Sequence, residues 1–240
     1  MIRRIEDVAA YFANPVPAKD RSSFRYCYPL DVPEAAGWLG TVLHSNYLDS
    51  LAGLLSQLNP ATYGVIGGLL GTLESYWLQQ YPSPALQSIV VCDLDIAAYH
   101  PRRENGSYVY RNICSLDHGA FQGEFVFLRA DSTQTTRIGA LGPYDVFFVD
   151  GRHDRMAVCE DMLTAFKSLR TGGFMLVHDI DMEGSSVREG YDAWVHEMGD
   201  LVQTYEVPHP QFHLGLGVVQ KISVDVFIEL HRRKLTKLWR

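Results

Sequence analysis

The chain has 240 residues, 47% of them hydrophobic and 20% charged, enough apolar material for one large core. A formal net charge of -7 argues against a nucleic-acid partner, which would need a basic face, and no apolar run reaches the length of a membrane span. The four cysteines, Cys27, Cys92, Cys114 and Cys159, form no C-x-x-C pair and no visible disulfide framework, and the start MIRRIEDVAAYF lacks a signal-peptide apolar stretch, so the expected compartment is the cytoplasm.

Residues 7–12 predict a short helix, and 14–33, with Pro15, Pro17, Pro29 and Pro33, predict a loop. Residues 38–58 place Leu39, Val42, Leu43, Tyr47, Leu48, Leu51, Leu54, Leu55 and Leu58 at helical spacing, and Asn59-Pro60 ends that helix. Residues 1–60 therefore read as a helical extension, a candidate lid, ahead of a domain at 61–240. From Ala61 strands alternate with helices. YGVIGG (63–68), SIVVCDLD (88–95), EFVFLRAD (124–131), YDVFFVDG (144–151) and FMLVHDID (174–181) are strands. Residues 71–80, 155–169 and 187–198 are helices, the second stopped by Thr171-Gly172-Gly173. A short hairpin is placed around Asn105-Gly106. Two closing strands, 201–207 and 213–221, are antiparallel, and 224–238 is a last helix whose basic end, RRKLTKLWR, reads as a solvated terminus. The alternation implies an α/β fold, a doubly wound and mostly parallel sheet whose ligand sites lie beyond the carboxyl ends of the strands.

Those strand ends supply the candidate residues. IGGLLGT (66–72) puts Gly67, Gly68 and Gly71 between a strand and a helix, where missing side chains permit a tight turn and a ligand at the helix N-terminus; purely structural use of such glycines is an equal reading. The second strand ends in Asp93 and Asp95, just over 20 residues after Gly71, where an acid can accept both ribose hydroxyls of a nucleoside cofactor. The third ends in Asp131-Ser132, in reach of an adenine amine. The fourth ends in Asp150, followed by Gly151 and His153. The fifth ends in His178, Asp179 and Asp181. Asp150 and Asp179 should converge on one sheet edge and could hold a divalent cation, with His178 or Asp181 completing the set and His153 taking a proton near neutral pH.

The blocks YDVFFVDGRHDRMAVCEDM and LRTGGFMLVHDID resemble the fourth-strand, helix and fifth-strand region of class I S-adenosylmethionine-dependent methyltransferases, within the small-molecule O-methyltransferases and most nearly the metal-dependent macrolide-sugar group. The resemblance spans about residues 63–221. It implies a Rossmann-like sheet, S-adenosylmethionine bound by Gly67, Gly68, Gly71, Asp93, Asp131, Ser132 and Asp150, magnesium on Asp150 and the His178-Asp179 position, and His153 as general base. Two departures stand out: Val65 replaces the family's first-strand acid, and His178 replaces one acid of the metal pair. Structural readings are kept for the rest. Asp154 and Asp161 cap or solvate their helix, His209 and His213 are loop residues, and Tyr76, Trp77, Tyr99 and Trp194 are core or pocket wall.

The expected reaction is methyl transfer to a hydroxyl of a small molecule, such as a sugar or polyketide. No nucleic-acid or membrane partner is expected, and a homo-oligomer is compatible with the sequence. The rivals are a nicotinamide-dependent oxidoreductase, disfavoured because the turn is not G-x-G-x-x-G, a binding or structural protein that kept the fold without catalysis, and a metal-dependent hydrolase.

Overall fold

The computed structural model describes residues 1–14, 47–68, 72–81, 83–94, 102–104, 107–111, 121–134, 136–209, 211–212 and 214–222. The expectations for Gly71, Asp95, Tyr99, Asn105-Gly106, His213, Cys27, Cys114, the proline-rich loop, residues 38–46 and the 224–238 helix lie outside them.

Helices α1 (Ile5–Ala13) and α2 (Tyr47–Leu58) precede the first strand, β1 (Thr62–Ile66), and α3 (Thr72–Gln80) follows it. Then come β2 (Ser88–Asp93), β3 (Arg102–Glu104), β4 (Ser107–Arg111) and β5 (Glu124–Arg129). A short helix α4 (Arg137–Ala140) leads to β6 (Tyr144–Val149), α5 (Arg155–Ser168), β7 (Leu169–His178), α6 (Val187–Met198), β8 (Val202–Val207) and β9 (Leu216–Lys221). The nine strands form one sheet in the order β3-β4-β5-β2-β1-β6-β7-β9-β8. The middle five, β5 through β7, run parallel, and β9 inserts antiparallel between β7 and β8. The β3–β4 pairing flanks the expected hairpin turn.

Two-residue alternation divides the core. Tyr63, Val65, Phe148 and Leu176 point to one face, covered by α1, α2 and α3; Ile66, Phe147, Val149 and Val177 point to the other, covered by α4, α5 and α6. Both faces are closed, so the middle strands are continuously apolar and each large buried side chain contributes about 1.5–3 kcal/mol. Cys92 and Cys159 are buried free thiols. Among the described residues no helix is long and apolar enough to cross a membrane.

Three polar fixtures hold the frame. At the lower end of β6, Asp145 Oδ2 accepts from the Ala61 amide at 2.6 Å and the Thr62 amide at 2.9 Å, and Oδ1 pairs with Arg170. On β9, Gln220 Oε1 accepts from the Ile5 amide at 3.0 Å while its Nε2 donates to the Arg3 carbonyl at 2.8 Å. The adjacent Lys221 Nζ donates to the carbonyls of Phe166 at 2.9 Å and Leu169 at 2.6 Å. That ammonium, and not the expected glycine stop, satisfies the C-terminus of α5. The helix ends at Ser168 and the chain enters β7 directly, so Thr171, Gly172 and Gly173 lie inside the strand.

Candidate active site

The parallel strands end on one level. The Gly67 amide donates to the Cys92 carbonyl at 2.9 Å, the Asp150 amide to Ile66 at 2.9 Å, and the Ala130 amide to Asp93 at 3.1 Å. Val149 is opposite Val177, so Asp150 follows beside His178. Connections leave β1 in one direction and β6 in the other, which makes the gap above them the switch point where ligands bind in such sheets.

At that gap four side chains meet. His153 Nε2 lies 3.0 Å from Asp179 Oδ2 and 4.0 Å from Asp150 Oδ1. His178 Nδ1 lies 3.0 Å from Asp179 Oδ1 and 3.4 Å from Asp150 Oδ1. Donor atoms of Asp150, His153 and Asp179 all fall within 4.8 Å of one another, a spacing one cation can bridge. Asp179 adopts φ 62°, a left-handed conformation that aspartate tolerates at a local energetic cost, and it turns the carboxylate away from the strand direction. Its Oδ1 is buried without a hydrogen bond of good geometry, despite the nearby imidazole. Asp181 stands apart: Oδ1 pairs with Arg188 Nη2 at 2.5 Å and Oδ2 accepts from the His209 amide at 3.0 Å, tying the end of β7 to the β8–β9 loop. Phe148 and Phe212 wall His178 at ring distances of 6.1 and 5.7 Å, and Phe12 of α1 meets Phe212 edge-on at 6.1 Å.

The electrostatics follow from two acids facing two bases. Asp150 and Asp179 push the half-exposed His153 imidazole up to about 10. Burial pulls His178 down, but the charges of Asp150 and Asp179 prevail and raise it to about 10. Burial lifts the Asp179 carboxyl, and the two imidazoles reverse that and hold it below the usual carboxylate range. The group balances its charge only through protonated histidines or a bound cation.

The other half of the gap is built differently. Gly67 has φ 79°, and a Cβ there would stand 1.8 Å from the Asp150 carbonyl oxygen. Its glycine identity thus lets the ends of β1 and β6 close together, which sets Asp150 against the turn. Gly68 is tight against Val91 and Val65 side chains. Asp93 ends β2 half-buried at the same level. Asp131 Oδ1 accepts from the Thr133 amide at 3.0 Å and its hydroxyl at 2.7 Å, so the carboxylate shapes its own turn. Ser132 Oγ donates to Asp161 Oδ1 at 2.5 Å. Asp161 is therefore not a solvated helix residue: it is 1% exposed, on the α5 face that also buries Val158, Met162 and Ala165, and burial pushes its carboxyl up to about 6. Asp154 does cap α5, accepting from the Ala157 amide at 3.0 Å. Tyr76, Trp77 and Trp194 are buried core residues. Glu74, in the first turn of α3 and 0% exposed, is a second buried acid that no motif in the sequence marks.

A parallel sheet split between β1 and β6, closed by an inserted antiparallel strand and carrying acids and imidazoles on its upper edge, is the Rossmann-like architecture of the methyltransferase fold. Residues 66–180, just under half of the chain, match the family model described as "Methyltransferase domain". The fold is similar to that of cofactor-bound Rv0187 from MTB (TM-score 0.54, 15% identity, covering 93% of this chain and 100% of that one). It is similar to the SAH-bound methyltransferase PaMTH1 of Podospora anserina (0.53, 12%, 91% and 95%). It also resembles a Staphylococcus aureus protein provisionally assigned as a caffeoyl-CoA O-methyltransferase (0.53, 13%, 81% and 92%). No curated protein matches the sequence significantly.

Proposed function

We propose that this chain is an S-adenosylmethionine-dependent methyltransferase that acts on a hydroxyl of a small molecule, assisted by a divalent cation at the Asp150–Asp179 pair, with His153 as the base. The carrying observation is the convergence of Asp150, His153, His178 and Asp179 above the switch point. Asp179 Oδ1, buried and short of a hydrogen bond, is the atom a cation would satisfy. Two carboxylates with the His178 imidazole nitrogen suit a first-row ion such as manganese better than magnesium, which prefers an all-oxygen set. Such an ion would lower the acceptor's pKa and fix its position.

S-adenosylmethionine supplies the electrophilic methyl group. Asp93 supports this reading as the acceptor for ribose hydroxyls, with the Gly67-Gly68 turn beneath and Asp131 and Ser132 shaping the adenine side. His153 is the most exposed of the four clustered residues and so the one an acceptor would meet first. Held as an imidazolium by two carboxylates it cannot take a proton. With their charge matched by a cation, the cause of its raised pKa would be removed and the neutral imidazole could accept the hydroxyl proton at Nε2. The Phe12–Phe212–His178 ring contacts support residues 1–60 as an extension that walls the acceptor side of the domain at 61–240.

The test is methyl transfer from labelled S-adenosylmethionine to a panel of sugar, polyketide and phenolic hydroxyls, after exhaustive chelation and after manganese or magnesium is restored. Full activity without metal removes the cation from the proposal. Binding of S-adenosylhomocysteine with no transfer to any hydroxyl removes the acceptor assignment.

A further inference from the structure

We infer that Glu74 is the carboxylate that receives the α-ammonium group of S-adenosylmethionine. The inference rests on the methyltransferase reading above and names a residue that reading does not use. α3 opens directly after the turn leaving β1, and Glu74 is in its first turn, 0% exposed. Neither carboxylate oxygen has a hydrogen-bond partner of good geometry, although the Tyr63 side chain lies beside it. Trp77 Nε1, one helical turn along on the same side, is likewise a buried donor without a partner. Tyr63 and Val65 of β1, Phe148 of β6 and Leu176 of β7 share the sheet face that α3 covers. By strand alternation Asp150 and His178 continue that face at the upper edge. Glu74 is thus on the face of the proposed active centre, at the helix end nearest the turn.

A buried carboxylate must stay protonated or meet a cation. Burial pushes Glu74 up to about 7, with Asp150 adding repulsion and Tyr63 opposing the rise. Among the described residues the only buried lysine or arginine is Lys221, whose ammonium is committed to two carbonyls of the α5 terminus. β1 offers no charge of its own, since it ends in Val65-Ile66. The cation that fits two unsatisfied oxygens carries several N–H donors. Of the two positive groups on the cofactor, the sulfonium has none and the α-ammonium has three.

The test is calorimetric titration of the full chain with S-adenosylhomocysteine, which keeps the ammonium, and with methylthioadenosine, which lacks the amino-acid arm. It is run near pH 7 in buffers of different ionisation enthalpy. Glu74→Gln should weaken S-adenosylhomocysteine about 10- to 100-fold, the loss of a charge-assisted contact, and leave methylthioadenosine unchanged. The native protein should release a proton on binding the first ligand and not the second, and the variant should release none. Equal losses for both ligands, or no loss for either, overturn the assignment of Glu74 while leaving the methyltransferase reading intact. Failure of the native protein to bind S-adenosylhomocysteine overturns both.

Discussion

β6 carries an aspartate near each end, and the two have opposite surroundings. Asp145, at the lower end, is closed in by two amides, a threonine hydroxyl and Arg170, all groups that keep their donors at any physiological pH. Asp150, just past the upper end, faces two histidines and a second carboxylate. The lower acid is a clamp that joins β6 to β1. The upper one belongs to a group whose charge depends on protons or on a bound ion. The same residue type on one strand is structural where its partners are permanent and chemical where they can exchange.

The largest expected effect falls on the upper end. Asp179→Asn should lower kcat/KM for methyl transfer by about 10³-fold, within the usual range for loss of acid–base or cation machinery, with the unfolding midpoint little changed. A comparable drop in stability would make Asp179 a structural residue and erase the contrast. Asp145→Ala should do the reverse. Several donors lose their acceptor and Arg170 its partner, so urea denaturation should show a loss of about 3 kcal/mol, while turnover per folded molecule is unchanged.

Asp161 sharpens the comparison from between the two ends. Its folded-state value, about 6, lies above the ordinary 3.8, so the native protein binds more protons than the unfolded chain between those values. Stability should fall as pH rises from about 4 to about 6 and stay reduced above that range. Asp161→Asn keeps an oxygen for Ser132 and removes the titration. It should gain on the order of 2 kcal/mol at pH 8 with no gain at pH 4, measured by urea denaturation at both values. A gain that is the same at both would show the burial penalty is not electrostatic. The smallest effect is assigned to α1. Phe12→Ala should raise the acceptor KM a few-fold and leave S-adenosylhomocysteine affinity alone; if KM does not move, α1 is scaffold and not wall.

The upper site was the more legible half of the molecule. VFFV runs straight into Asp150 and FMLV into His178-Asp179, and in a parallel sheet that places Asp150 and Asp179 on one edge whatever the loops do. The succession of strands and helices along the chain and the antiparallel end were equally readable from alternation. Asp161 carried a signal that was passed over: Val158, Met162 and Ala165 share its helical face, so the period of α5 already put it inside. Glu74 carried none, since α3 is short and a glutamate beside tyrosine and tryptophan reads as surface. Asp181, two residues beyond Asp179, was read as able to complete the cation set. Only the three-dimensional placement of Arg188, on the following helix, separates them. The end of α5 was placed within one residue, but its stop was assigned to the wrong residues, because Lys221, remote in sequence, does the capping that a local glycine usually does.

The Gln220 contacts with Arg3 and Ile5 join residues more than 200 positions apart. During synthesis α1 emerges before the sheet and can meet α2 early, through the Tyr11 hydroxyl on the Ser50 carbonyl, yet its seat on the sheet is incomplete until β9 leaves the ribosome, because β9 carries that glutamine and also separates β7 from β8. The nascent chain therefore leaves the sheet-facing side of α1 uncovered until late in translation, and the sheet cannot finish its edge in the order in which its strands appear. Such late, long-range closure favours slow final folding and leaves an interval in which a chaperone, or another unfinished chain, can compete for the open edge beside β7.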